Sequence, residues 1–106
     1  MLMGEEILTF LGLCRKSGRM VLGMDPVGEA VRTGRAKLII TAGDAGGNTL
    51  KKARHMAGQI PLGHIVLPFG KDVLGRSLGF KSCSIIAVLD EGFAAGLIKK
   101  STEEEV

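Results

Sequence analysis

Apolar positions along the chain change their spacing several times, and each change marks an element. Ile7, Phe10, Leu11 and Cys14 follow i, i+3, i+4, i+7, which predicts an amphipathic helix over about residues 4–16, ended by Ser17-Gly18. Met20-Val21-Leu22 forms a short extended piece. Asp25-Pro26 then predicts a second helix, with Asp at the N-cap and Pro at the first helical position. Val27, Ala30 and Val31 form its inner stripe and Gly34 closes it.

Residues 37–42 (KLIITA) are a continuous apolar, β-branched run, as expected for a strand covered on both faces. The turn GDAGGN leads to a third helix with Leu50, Ala53 and Ala57 inward. Residues 64–67 predict another covered strand, 72–78 a short helix with Val73, Leu74 and Leu78 inward, and 84–89 a further covered strand. A last helix starts at Asp90, with Glu91 in its first turn and Lys99-Lys100 in its last, matching the helix dipole at both ends. Helix and strand alternate throughout. The expected fold is therefore α/β, a three-layer α/β/α sandwich around a small mixed four-stranded sheet. Ligands of such sheets gather at the carboxyl ends of strands, here the turns at 22–25, 42–48 and 67–71.

A chain of 106 residues suits a single domain, assigned to residues 1–100, with 101–106 as an acidic tail read as a frayed helix end. The net charge of +3 conceals an asymmetry. Residues 1–100 hold all fourteen Lys and Arg but only eight of the eleven acids, a net +6. A basic body of this kind suits an anionic partner. Trp and Tyr are absent and there are four Phe, which argues against a single-strand binder built on stacked aromatic rings. Cys14 and Cys83 lie 69 positions apart in apolar surroundings and read as buried, reduced core residues. No apolar run approaches a membrane span, and Glu5-Glu6 stand where a signal peptide would be basic, so the expected location is the cytoplasm, away from the membrane.

Enzymatic chemistry finds little support in the motifs. The segment Gly43 to Lys51 lacks the G-K-[ST] step with which a P-loop serves a terminal phosphate and magnesium, and Gly43, Gly46 and Gly47 do not form G-x-G-x-x-G. His55 and His64 have no Cys, Asp or Glu at metal-ligand spacing. The chain is accordingly expected to be no enzyme, with no metal or cofactor and no catalytic residue. The cations are more informative. Lys51, Lys52 and Arg54 fall in the first turns of the third helix, Lys71 and Arg76 flank the fourth, and Lys81 follows it. Open backbone N–H groups at the helix starts near 25, 48 and 71 would add partial positive charge along the same edge, a combination suited to phosphates. A solvated helix face is the plainer alternative.

The ordered set Gly23, Ala42-x-Asp44, Lys71-x-x-Leu74-Gly75-Arg76-x-x-Gly79, with the phrases LGLCRKSGRMVLG, DAGGNT, VLGRSLG and DEGFAAGLI, resembles the kink-turn RNA-binding ribosomal protein family, of L-seven-Ae and L-thirty-e type, in its bacterial branch. The resemblance spans about residues 5–100. It implies an α/β/α sandwich that clamps a sharply bent RNA containing tandem G·A pairs and reads its shape more than its sequence. The implied contacts are Gly23, Met24 and Asp25 at the start of helix two, Asp44, Lys71, Arg76, and the loop of Phe80, Lys81 and Ser82. Asn48, Lys51 and Lys52 would position phosphates and Phe80 would pack on an extruded base. The expected partner is a structured, kink-turn-like RNA, ribosomal or in a messenger leader, bound by a monomer associated with the ribosome or translation. Family members commonly start helix two with G-x-N-E-x-x-K. Here the frame reads Gly23-Met24-Asp25-Pro26-Val27-Gly28-Glu29, keeping only the Gly, and Gly43 stands where an acid commonly precedes Asp44. Asp25 accepts but cannot donate, and Glu29 reverses a positive charge. The alternative function is a protein–protein adaptor that keeps the fold with a weakened RNA edge.

Overall fold

The computed structural model describes residues 2–104 and the side chains of residues 4–101. Five helices alternate with four strands: α1 (Leu2–Lys16), β1 (Met20–Leu22), α2 (Met24–Arg32), β2 (Leu38–Thr41), α3 (Gly47–Ala57), β3 (His64–Val66), α4 (Lys71–Ser77), β4 (Ile85–Val88) and α5 (Glu91–Glu104). The sheet order is β1-β4-β2-β3. β4 runs antiparallel to both neighbours, whereas β2 and β3 are parallel. The expected α/β/α sandwich with a mixed four-stranded sheet is therefore the architecture found.

Period-2 alternation in the two central strands sorts the core into two layers. Leu38, Ile40, Ile86 and Val88 face one side, where Ile7, Leu11, Leu74, Ala94 and Leu97 bring in α1, α4 and α5. Ile39, Ile85 and Ala87 face the other, where Val27, Ala30 and Ala53 bring in α2 and α3. Because β2 and β4 are buried along their whole length, each Leu or Ile there stabilises the fold by about 1.5–3 kcal/mol relative to exposure. Registry then places the ends. Thr41 lies opposite both Ile85 and Val66, and Leu22 opposite Ile86, so the carboxyl ends of β1, β2 and β3 and the amino end of β4 meet at one edge.

Three expectations are corrected. First, α2 starts at Met24 with Gly23 as its cap, not at Pro26 after an Asp25 cap. The Gly23 N–H donates to Ile85 O at 3.0 Å, keeping the chain in the sheet to that point, and Val27 N–H already returns to Gly23 O. Pro26 fits as the third helical residue because first-turn N–H groups have no partner to lose. Second, Val73 is 44% exposed while its neighbour Leu74 is fully buried, since successive residues of a helix cannot share a face. Third, β3 lies at the sheet edge, and Val66 is 51% exposed, so this strand is not covered on both faces. α5 is helical through Glu104; residues 105 and 106 of the expected acidic tail lie outside the described residues.

Candidate nucleic-acid interface

Gly23 sits at the shared edge with φ 96 and ψ 155, a conformation in which a side chain is strained. Its two backbone hydrogen bonds place the first turn of α2 where the strands end. Met24 follows, half-buried against the α2–α3 layer, and Asp25 is exposed in the same turn. Across from them, Asn48, Lys51 and Lys52 project from α3 into a groove of about 570 Å³ between the two helices. Met24 and Met56 supply its apolar surface, and Asp25, Arg32, Asn48, Lys51, Lys52 and His55 its polar surface. Of the predicted site, five residues thus meet here: Met24, Asp25, Asn48, Lys51 and Lys52. Sequence reasoning missed Arg32 and His55. Helical spacing carried the signal, because 25, 28 and 32 share one face of α2 and 48, 51, 52 and 55 share one face of α3.

Asp44 reaches across to the start of α4. Its Oδ1 accepts the Lys71 N–H at 2.8 Å, placing a carboxylate at the start of α4, where the helix dipole favours negative charge. The open N–H expected near residue 71 is consumed by this bond. Beside it, Gly43 N–H donates to Phe69 O at 2.8 Å, and a Cβ at position 43 would stand 2.8 Å from Leu67 O. The turn after β2 and the turn after β3 are thereby laced together, and glycine at 43 is what lets them approach.

A second cleft, of about 430 Å³, opens between the end of β1 and the loop after α4. Leu22, Gly23, Lys71, Phe80, Ser82 and Ser84 line it, so Gly23, Lys71 and Phe80 of the predicted site meet there. The loop is drawn onto α4 by Phe80 N–H to Gly75 O at 2.8 Å and Cys83 N–H to Lys71 O at 3.0 Å. Phe80 is 45% exposed, and the Arg15 guanidinium of α1 lies 4.7 Å from its ring centroid. Arg76 and Lys81 are exposed close by in sequence but line neither the groove nor the cleft.

The charges on this edge are available. Among the described residues, the one ion pair joins Arg19 Nη1 to Asp90 Oδ1 at 2.8 Å; the other Asp90 oxygen accepts Phe93 N–H and caps α5. Lys51, Lys52, Lys71, Arg76 and Lys81 enter no such pair. The buried groups are quiet. Burial, with Asp90 adding to it, pushes the Cys14 thiol up to about 11 against a small opposing effect of Arg19, and burial also raises Cys83. Neither forms the thiolate that nucleophilic chemistry requires near neutral pH. His64 Nε2 is hydrogen-bonded at 2.7 Å to the buried Thr41 hydroxyl, and burial, then Arg54, holds its pKa below the usual imidazole value. No helix among the described residues is long and apolar enough to cross a membrane.

An α/β/α sandwich on a mixed four-stranded sheet, with glycine turns meeting at one sheet edge beside unpaired lysines, defines a class of small single-fold proteins. More specifically, the chain belongs to the Ribosomal protein L7Ae/L30e/S12e/Gadd45 family, whose sequence pattern matches residues 5–98. It is 36% identical over 99 residues to the RNA-binding protein YlxQ of Bacillus subtilis (strain 168), covering 90% of this chain and 94% of that one. It is 24% identical over 90 residues to the RNA-binding protein YlxQ of Enterococcus faecium, covering 85% of each. A solved structure, of a protein with unknown function from Bacillus halodurans C, matches with a TM-score of 0.82 and 33% identity over 91% of this chain and 96% of that one.

Proposed function

We infer that this protein binds structured RNA of the kink-turn kind, in the setting of the ribosome or translation, through the edge where its strands end. One observation carries the reading: Lys51 and Lys52 of α3 and Lys71 of α4, free of ion pairs, line a groove and a cleft that adjoin at the start of α2, around Gly23 to Asp25. Names given to relatives support it, since both YlxQ proteins are described as RNA-binding. In this reading the absence of a side chain at Gly23 admits the RNA backbone, and Asp25 accepts a hydrogen bond from a base edge. Asn48, Lys51, Lys52, Lys71, Arg76 and Lys81 hold phosphates, and Phe80 offers its ring to an extruded base. Asp44 acts indirectly, by fixing the position of Lys71.

Filter binding at several stated salt concentrations tests the proposal. A kink-turn RNA should bind more tightly than the same duplex with its G·A pairs replaced by Watson–Crick pairs. Lys71→Ala should weaken binding and reduce the slope of log affinity against log salt by about 1, the contribution of one phosphate contact. Equal, weak binding of both RNAs would refute the reading and favour an adaptor that engages protein instead.

A further inference from the structure

We propose that Arg15 of α1 is an RNA-contacting residue that extends the interface beyond the helix-two and helix-four clamp and holds Phe80 ready for a base. This rests on the RNA-binding reading but on a different part of the molecule, since α1 contributes nothing to the clamp the family pattern implies. The guanidinium lies over the Phe80 ring at 4.7 Å from its centroid, so one ring face is occupied by a cation. A base stacking on Phe80 would take the opposite face. Arginine is suited to this double duty, because its flat face stacks on a ring while the N–H groups around its rim remain free to meet phosphate oxygens.

Three further observations separate Arg15 from an ordinary surface cation. It makes no ion pair among the described residues, whereas Arg19, just past the turn that follows α1, is tied to Asp90. The acids of its own helix, Glu5 and Glu6, lie at the far end, about 14 Å or more away at the helical rise. The guanidinium also adjoins Gly79, whose φ of 86 shapes the turn and where a Cβ would be in ordinary contact with Arg15 Nη1 at 3.9 Å. Arg15 thus lies against the turn at 79–80, with exposed Arg76 and Lys81 near it in sequence.

The test compares Arg15→Ala, Arg15→Lys and Phe80→Ala, with the double variant Arg15→Ala/Phe80→Ala, in filter binding of a kink-turn RNA across a salt series. Arg15→Ala should weaken binding about five- to tenfold and lower the salt slope by about 0.7–0.9, the value for one lost phosphate contact. Arg15→Lys should keep the slope and lose part of the affinity, because an ammonium cannot lie flat on the ring. The double variant should lose less than the product of the single losses, as expected for residues acting as a unit. Urea unfolding of each variant reports on the fold separately. Since the chain has no Trp, Phe80→Trp gives a lone fluorophore; RNA should quench it, and less so once Arg15 is also Ala. Wild-type affinity for Arg15→Ala, or a loss with an unchanged salt slope, overturns the proposal. Failure of the underlying reading shows elsewhere, as equal binding of kink-turn and Watson–Crick duplex by the wild-type protein.

Discussion

Adding one methyl group at Gly75 should dislodge the loop that carries Phe80. Gly75 is buried within α4, and the Cβ of an alanine there would overlap the Ser82 backbone, standing within contact of its Cα, 2.6 Å from its carbonyl carbon and 2.7 Å from its nitrogen. Carbon atoms rest at about 3.5–4.0 Å, so the loop must retreat by about 1 Å. Backbone cannot rotate aside as a side chain would. Retreat strains two bonds that draw the loop onto the helix, Phe80 N–H to Gly75 O and Cys83 N–H to Lys71 O, each worth about 0.5–1.5 kcal/mol. Overpacking itself costs about 1–3 kcal/mol, and the better helix propensity of Ala returns about 1 kcal/mol. The net expectation for Gly75→Ala is a loss of about 1.5–4 kcal/mol in urea unfolding followed by far-UV circular dichroism, together with weaker RNA binding. Gly12→Ala is the matched control. It lies within α1 with nothing within 4 Å of the added Cβ, and should gain about 0.5–1 kcal/mol. If the two variants show the same stability, the close approach of loop and helix is not what fixes glycine at position 75.

Asp44→Ala should cost about 1–2 kcal/mol, the usual value of a helix-start acceptor. Asp44→Asn, which keeps an oxygen for the Lys71 N–H, should lose clearly less; equal losses in urea titration would refute the bracing role. His64 gives a pH signature whose sign follows from its lowered pKa. Between the folded value and the ordinary 6.5, the unfolded chain holds a proton that the folded chain rejects. Stability should thus be complete above about pH 7.5 and fall as pH drops through 6.5 towards the folded value. His64→Gln should flatten that part of the profile, read as urea midpoints between pH 7.5 and 5.5; an unchanged slope would place its origin in another group.

Local pattern carried most of the fold and only the outline of the site. Residues 37–42 and 84–89 read as doubly covered strands because β2 and β4 occupy the two central places, where every side chain is buried. Residues 64–67 carry the same apolar signature, yet β3 is an edge strand. Place in the sheet is settled by pairing with residues more than twenty positions away, which periodicity does not encode. Asp25-Pro26 is a strong local helix start, overruled by a sheet bond from Gly23 to Ile85. The strand-end rule picks out the edge where three strands end together, since it depends only on chain direction. It could not find the partners that assemble there. Asp44 braces a residue 27 positions on, and Arg15 stacks on a ring from the opposite end of the chain.

Charge distribution also bears on the choice between an RNA edge and a protein adaptor. In sequence, Asp25 and Glu29 set two acids on the helix that commonly meets RNA through Asn and Lys, and taken alone they favour the adaptor. In three dimensions Glu29 is exposed but lies outside the residues lining the α2–α3 groove, and of the two acids only Asp25 faces into it. Arg32, Lys51 and Lys52 face the same space, so the cations there outnumber the acid by three to one. A phosphate in the groove is therefore drawn by α3 and the far end of α2 more than it is repelled from the near end, given that each interaction weakens with distance. The positive charge of the groove comes from α3 and from Arg32. That placement supports an RNA partner gripped further along the groove over a surface that has abandoned RNA.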